Sequence, residues 1–150
     1  MKLLIPPPIQ ALLSVTMMWL ISRYFPYANF TLNGINLLAL VFLIIAVILL
    51  IFSVNKFIEI KTTISPLKPN KTSSLVNSGI YSYTRNPMYL GLLLILFSTA
   101  FLLKNFISFL IIPLFIFFIT KNQILPEEEA LENLFGEEYK NYKEEVRRWV

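Results

Sequence analysis

The sequence contains no cysteine, no histidine and no aspartate. Without cysteine there can be no disulfide, no thiolate metal ligand and no cysteine nucleophile. Without histidine the commonest metal ligand and the commonest general base are both missing. No metal site is expected, and any catalysis has to proceed without an imidazole. Charge is scarce as well. Of 150 residues, 15% are charged and 56% are hydrophobic, and the mean hydropathy is +0.65. Soluble domains are closer to a quarter charged, so this chain is too apolar for water. Every acidic residue is glutamate, and eight of the nine follow Pro126.

What is present comes in blocks. Four apolar segments stand out, at roughly 9–25, 35–54, 88–103 and 106–122. The first two approach the ~20 residues that a helix needs to cross hydrocarbon. The last two are shorter and are separated by little more than Lys104-Asn105, a spacing that predicts a helical hairpin. Pro6-Pro7-Pro8 interrupts any signal-peptide core, so the first segment is expected to be a mature span. Four spans put both termini and the middle loop on one side. Eleven of the 13 basic residues fall there, leaving only Arg23 and Lys104 opposite. The positive-inside rule makes that side cytoplasmic, and the expected location is the cell (inner) membrane. Basic residues scattered along loops point to membrane orientation, with no nucleic-acid partner expected.

The loop over 61–78 is rich in Pro, Ser, Asn and Gly and predicts turns and extended chain. After it comes Gly79-Ile80-Tyr81-Ser82-Tyr83-Thr84-Arg85-Asn86-Pro87-Met88-Tyr89-Leu90-Gly91. Thr84 or Asn86 is suited to cap the following helix, and Pro87 to its first turn. Read blandly, the tyrosines anchor at the headgroup level and Arg85 meets lipid phosphate. Read functionally, Gly91 lets a ligand or another helix approach the backbone.

The tail predicts a second device. Pro126 followed by Glu127-Glu128-Glu129 suits a helix start, with acidic residues complementing the dipole. Leu131, Phe135, Tyr139, Tyr142, Val146 and Trp149 then recur at helical spacing, giving an amphipathic helical segment over 126–149 that Gly136 can break in two. Such a segment lies on a membrane surface by default. Its glutamates disfavour anionic headgroups and suggest a cationic partner.

Together, the two segments resemble the isoprenylcysteine carboxyl methyltransferase and phospholipid methyltransferase superfamily, of the bacterial or archaeal type. The family pattern is Gly-x-Tyr-x-Tyr-x-Arg-His-Pro-x-Tyr-x-Gly, then a helical hairpin, Glu-Glu, Leu, Phe-Gly, two spaced tyrosines and Val-x-Arg. Here the matching residues are Gly79 through Gly91, then Glu127-Glu128, Leu131, Phe135-Gly136, Tyr139, Tyr142 and Val146-Arg147-Arg148, in order over about half the chain. Asn86 stands where many members carry histidine, which argues against an essential histidine base.

The resemblance implies an all-α integral membrane protein, one methyltransferase domain over 1–150 with about four transmembrane helices and a cytoplasmic C-terminal helical segment. It implies S-adenosylmethionine as cofactor, bound on the cytoplasmic side by Arg85, Asn86, Pro87, Tyr89, Leu90, Gly91, Glu127, Glu128 and Tyr139. The glutamates suit the cofactor's ammonium or ribose hydroxyls, and Arg85 or Asn86 its carboxylate. The tyrosine faces suit sulfonium or adenine. Arg148, or Arg147, is expected to hold an acidic acceptor headgroup, with Glu128 and Arg148 the expected catalytic pair. The acceptor is expected to be lipophilic, a hydrophobic carboxylate or a lipid amine. A non-enzymatic membrane adaptor or lipid-binding protein is the alternative, and a related membrane reductase a weaker third reading.

Overall fold

The computed structural model describes residues 5–60 and 74–150. The expected turns of 61–73 lie outside the described residues. The order is α1 (Pro7–Tyr24), α2 (Ile35–Ile60), α3 (Pro87–Leu103), α4 (Ile111–Ile119), α5 (Leu125–Phe135) and α6 (Glu137–Glu145), with short 3-10 turns at Pro26–Ala28, Gly79–Ser82 and Ile107–Leu110. Among the described residues no strand forms, and Asn29 and Asn105 make a single isolated bridge. The all-α expectation holds. Two helices are long and apolar enough to cross a membrane, Ile35–Ile60 and the continuous run Ile107–Phe135, while α3 is a shorter apolar helix.

The packing is inverted relative to a soluble bundle. The fully covered residues of α2 are small, Ala39, Ala46 and Ser53, and recur every seven positions. Its large apolar residues, among them Leu37, Ile44, Ile48, Ile51 and Phe52, are exposed. Small residues inward and large ones outward suit a helix surrounded by lipid, where close backbone approach supplies the association. The small stripe meets α3. Ser98 donates its hydroxyl to Ala39 O at 2.8 Å. A Cβ on Gly91 would sit 2.8 Å from Leu50 Cγ and 3.3 Å from Ala46 O. Gly91 therefore clears space for α2. The sequence left ligand or helix open for this glycine, and the neighbour found is the helix.

α3 ends where Lys104 takes a left-handed conformation, φ 51 and ψ 40. The connection is held by Asn105, which is fully buried. Its amide donates to Phe25 O at 2.9 Å and Asn29 Oδ1 at 2.8 Å, and its Oδ1 accepts from the amides of Ile107 at 3.0 Å and Ser108 at 3.1 Å. α1 then packs against α3 and α4 through Ala11 and Met18, which meet Leu93, Leu96, Ile111 and Phe115 in the main apolar core.

Two boundaries differ from expectation. Pro126 does not begin a separate helix. The helix of α4 runs on through a π-helical segment, Thr120–Ile124, into α5, with the Leu125 amide donating to Thr120 O. The wide turn accommodates the proline's missing N–H and its ring, which would otherwise break a regular helix. At the other end, α6 stops at Glu145 and Val146 is extended, φ −120 and ψ 129, so the helix does not reach residue 149. The final residues instead pair with the start of α3.

Replacing Gly91 with valine should force α2 and α3 apart at their closest approach. The expected cost is about 1–3 kcal/mol of overpacking, seen as a lower thermal midpoint of the purified protein in detergent. Gly34, where an added Cβ meets nothing within 4 Å, gives the contrast. Because its φ is +79, asparagine is the substitution to use there, and it should change the midpoint far less.

Candidate active site between the third helix and the C-terminal helices

The expected motifs converge on one carboxylate. Glu128, in the first turn of α5, has only 8% of its side chain exposed. Arg85, just before α3, donates from Nη2 to Glu128 Oε1 at 3.0 Å. Arg148, in the extended tail, donates from Nε to Oε1 at 2.9 Å and from Nη2 to Oε2 at 2.7 Å. This second pair is the bidentate fork that makes arginine and carboxylate strong partners. Two guanidinium groups on a covered carboxylate favour its charged form, and the Glu128 hydrogen bond in turn raises the affinity of Arg148 for its proton.

Arg85 does more than pair. Its Nη1 donates to Lys143 O at 2.8 Å and Val146 O at 2.7 Å, carbonyls released where α6 ends. Its backbone amide donates to Arg147 O at 3.0 Å. Asn86 Nδ2 donates to Arg148 O at 2.9 Å, and the Thr84 hydroxyl to the same carbonyl at 3.2 Å. Asn86 occupies the N-cap position but makes no side-chain cap, because its amide is directed to the tail. The expected capping role thus gives way to a tertiary bond. Pro87 does fill the first turn, and is buried.

Glu127 belongs to a separate cluster. Tyr89 places its hydroxyl 2.8 Å from both Glu127 oxygens, and Gln123 Nε2 donates to Oε1 at 2.7 Å. The widened turn at Thr120–Ile124 leads directly into these residues. Leu90 packs against the apolar core beside Tyr89.

Tyr139 and Tyr142 anchor α6 in a second small core with Val146, supported by Leu75, Leu131 and Phe135. Burial pushes both phenols up, so they are neutral. Tyr142 donates to Tyr81 O at 2.6 Å. Lys143 Nζ lies 5.9 Å from the Tyr139 ring centroid, so a cation already sits over that ring.

The expected site residues are therefore brought together, but as two linked groups. Arg85, Asn86, Glu128 and Arg148 bind one another and the tail, with Tyr139 beside them. Tyr89 and Glu127 form the other group with Gln123. Gly91 faces α2. Of the two arginines left open by the sequence, Arg148 holds Glu128, and Arg147 contributes its backbone carbonyl. Gln123 was not singled out in the sequence as a site residue, and Thr84 was singled out only as a possible helix cap. The i,i+4 spacing of Gln123 to Glu127 was the available signal for the first. For the bond of Thr84 to the tail, across 64 residues, there was none. Among the described residues, no group of His, Cys, Asp or Glu is arranged to hold a metal ion.

Comparison with known proteins gives a family. The model of the phospholipid methyltransferase family matches residues 34–138. The chain is 38% identical over 79 residues to a protein-S-isoprenylcysteine O-methyltransferase of Schizosaccharomyces pombe, covering 53% of this chain and 34% of that protein. A protein of the same name from Mus musculus is 35% identical over 75 residues, 50% of this chain and 26% of its own length. An uncharacterized protein of Haemophilus influenzae is 48% identical over 63 residues, 42% of this chain and 100% of its length. The chain thus spans about a third or less of the two named enzymes. No solved structure gives a significant match. The chain belongs to the phospholipid methyltransferase family.

Glu128→Ala should leave Arg85 buried beside an unpaired site and free the tail. Removing one partner of a covered ion pair costs about 3 kcal/mol, a substantial drop in thermal midpoint. Glu129→Ala, at the exposed neighbouring position, should change it by less than about 0.5 kcal/mol. Thermal melts of the two purified variants in one detergent compare them directly.

Proposed function

We propose that this member of the phospholipid methyltransferase family transfers a methyl group from S-adenosylmethionine to a lipophilic acceptor at the cytoplasmic face of the inner membrane. The observation that carries this reading is the junction itself. A tail motif and a pre-helix motif, about 40 residues apart, share one covered carboxylate, and a second carboxylate, Glu127, lies beside them on a tyrosine.

We take the protein to have four spans, α1 to α3 and the α4 run, with the last two as a hairpin. Both termini and the site then lie on the side that carries eleven of 13 basic residues. The exposed apolar faces of α1 and α2 support lipid contact.

The residues present suit the cofactor. Glu127 can accept from an ammonium or from ribose hydroxyls, and Tyr89 offers a polarisable ring beside it. Arg85 Nε is buried with no hydrogen-bond partner, a donor of the kind a carboxylate satisfies. Asn86, Pro87 and Leu90, in the segment between Arg85 and Gly91, are assigned to the same cofactor site. When bound, the cofactor supplies an electrophilic methyl group on a sulfonium.

The chain's own task is positioning. In-line displacement requires nucleophile, carbon and sulfur to be aligned, and orientation alone can supply a large part of the rate. Neither a carboxylate acceptor nor an unprotonated amine needs a base, so the absence of histidine is no obstacle. We assign Glu128 and Arg148 to positioning. Their mutual fork fixes the tail against α5, and Arg85 on the same carboxylate ties both to the segment that opens α3. Tyr139 supports them from α6.

Isothermal titration of S-adenosylmethionine into the purified protein, in a detergent that preserves the fold, tests the reading. Micromolar-range binding is expected, weakened roughly tenfold by Glu127→Gln, the loss of about one charge-assisted hydrogen bond. Absence of binding by folded protein would favour a non-enzymatic membrane adaptor.

A further inference from the structure

The Arg85–Glu128 junction lies at one end of the bundle. Two cations stand at the opposite end, Arg23 in the last turn of α1 and Lys104 where α3 stops. Asn105 ties these helix ends together through Phe25 O and Asn29 Oδ1. The sequence has no acidic residue before Glu59 and none between Glu59 and Glu127. Among the described residues, neither cation has a carboxylate within ion-pair distance. Helix dipoles do not offset the two charges. α1 and α3 end on this face while α2 and α4 begin on it, so their partial charges largely cancel. Lys104 also has a left-handed backbone, φ 51, where glycine or asparagine is the less strained choice. The backbone therefore gives no reason for a lysine.

Just inside this end, α1 and α3 leave a groove of about 310 Å³, lined by Val15, Thr16, Trp19, Thr99, Leu102 and Leu103. Both threonine hydroxyls are engaged within their own helices. Thr16 donates to Leu12 O at 3.0 Å and Thr99 to Ile95 O at 2.9 Å. The groove thus presents methyl, aliphatic and indole surface, which suits a hydrocarbon chain and would leave a polar ligand unsatisfied. Trp19 and Leu102 are exposed, so the groove opens towards lipid. Arg23 follows Trp19 by one turn, with its guanidinium 5.6 Å from the indole ring centroid. Lys104 follows Leu103 directly. Apolar walls therefore lead to two cations without counter-ions.

We propose that this groove binds an acyl chain of an anionic phospholipid, whose phosphate is held at Arg23 and Lys104 on the membrane face opposite the methyl-transfer site. This lipid is neither cofactor nor acceptor. It supplies the negative charge that the chain lacks at this end, and it fills the space between α1 and α3. A zwitterionic lipid offers the same phosphate but adds an ammonium, which the two cations repel. The occupant is therefore selected by net charge as well as by its chain.

Trp19 and Trp149 are the two tryptophans of the sequence, so Trp149→Phe leaves one indole, in the groove wall. That protein is reconstituted in mixed phosphatidylcholine and phosphatidylglycerol bilayers, with bromine on the chains of one lipid or the other, and quenching of Trp19 is measured. Phosphatidylglycerol should bind roughly fivefold better than phosphatidylcholine, the ~1 kcal/mol that an interfacial cation contributes towards anionic lipid. Arg23→Gln combined with Lys104→Asn, the latter suited to the left-handed backbone, should remove the preference. Thr16→Phe, at an exposed position, fills the groove and should remove it with both cations in place. Should Trp149→Phe fail to fold, native mass spectrometry serves instead: the unaltered protein should retain one phosphatidylglycerol and the double variant none. Equal quenching by the two lipids, or equal retention by the two proteins, would overturn the proposal. So would a preference that survives Thr16→Phe, which would reduce the site to surface charge. Quenching that falls as protein density rises would put a second copy of the chain in the groove, and would overturn it as well.

Discussion

The arrangement depends on a single carboxylate that three parts of the chain use at once. Glu128 belongs to the helix descending from α4, Arg85 to the segment that opens α3, and Arg148 to the extended tail. Burying a carboxylate is expensive unless its oxygens are fully engaged. Here one guanidinium forks onto both oxygens and a second reaches one of them. The energetic return of a covered ion pair over an apolar substitute is small, but the penalty for losing one member is large. The same charges that contribute little to net stability thus enforce one relative placement of α3, α5 and the tail. Arg85 extends that constraint by holding the carbonyls left free where α6 unwinds.

The membrane sets the second constraint. Helices in lipid gain little from burying large apolar residues against one another, so contact is made where small residues let backbones approach. Ala39, Ala46 and Ser53 on α2 against Gly91 and Ser98 on α3 follow that rule. The polar knot around Asn105 closes the far end of the bundle, where every amide group of that side chain is used. With one end fixed by Asn105 and the other by Glu128, α3 is held at both ends. The residues of its first turn, Pro87 to Leu90, are correspondingly well placed to be rigid parts of a site.

Much of this was legible in the sequence, for identifiable reasons. Long apolar blocks announce helices because lipid leaves the backbone no other way to satisfy its polar groups. The two motifs announced a common site because their residue types only make sense together. What the sequence obscured came from interactions distant along the chain. Pro126 reads locally as a helix start, yet the π turn before it carries the helix through. The apolar spacing through Trp149 reads as continued helix, yet the carbonyls of residues 146–148 are claimed by Arg85, Thr84 and Asn86. Asn86 reads as a cap for the same local reason, and its amide is used 62 residues away. Gly91 could have served ligand or helix, and its close approach to α2 became visible only in the structure.

The proposed methyl transfer to a molecule drawn from the bilayer rests on family membership and on the junction of charged and aromatic groups. The most direct measurement incubates membranes containing the protein with methyl-labelled S-adenosylmethionine, extracts the lipids and identifies labelled species by mass spectrometry. The account predicts a labelled lipophilic product that depends on the protein and disappears in the Glu127→Gln and Tyr89→Phe double variant, provided that variant folds. Unlabelled lipids, from membranes in which the wild-type protein is folded and binds the cofactor, would contradict it.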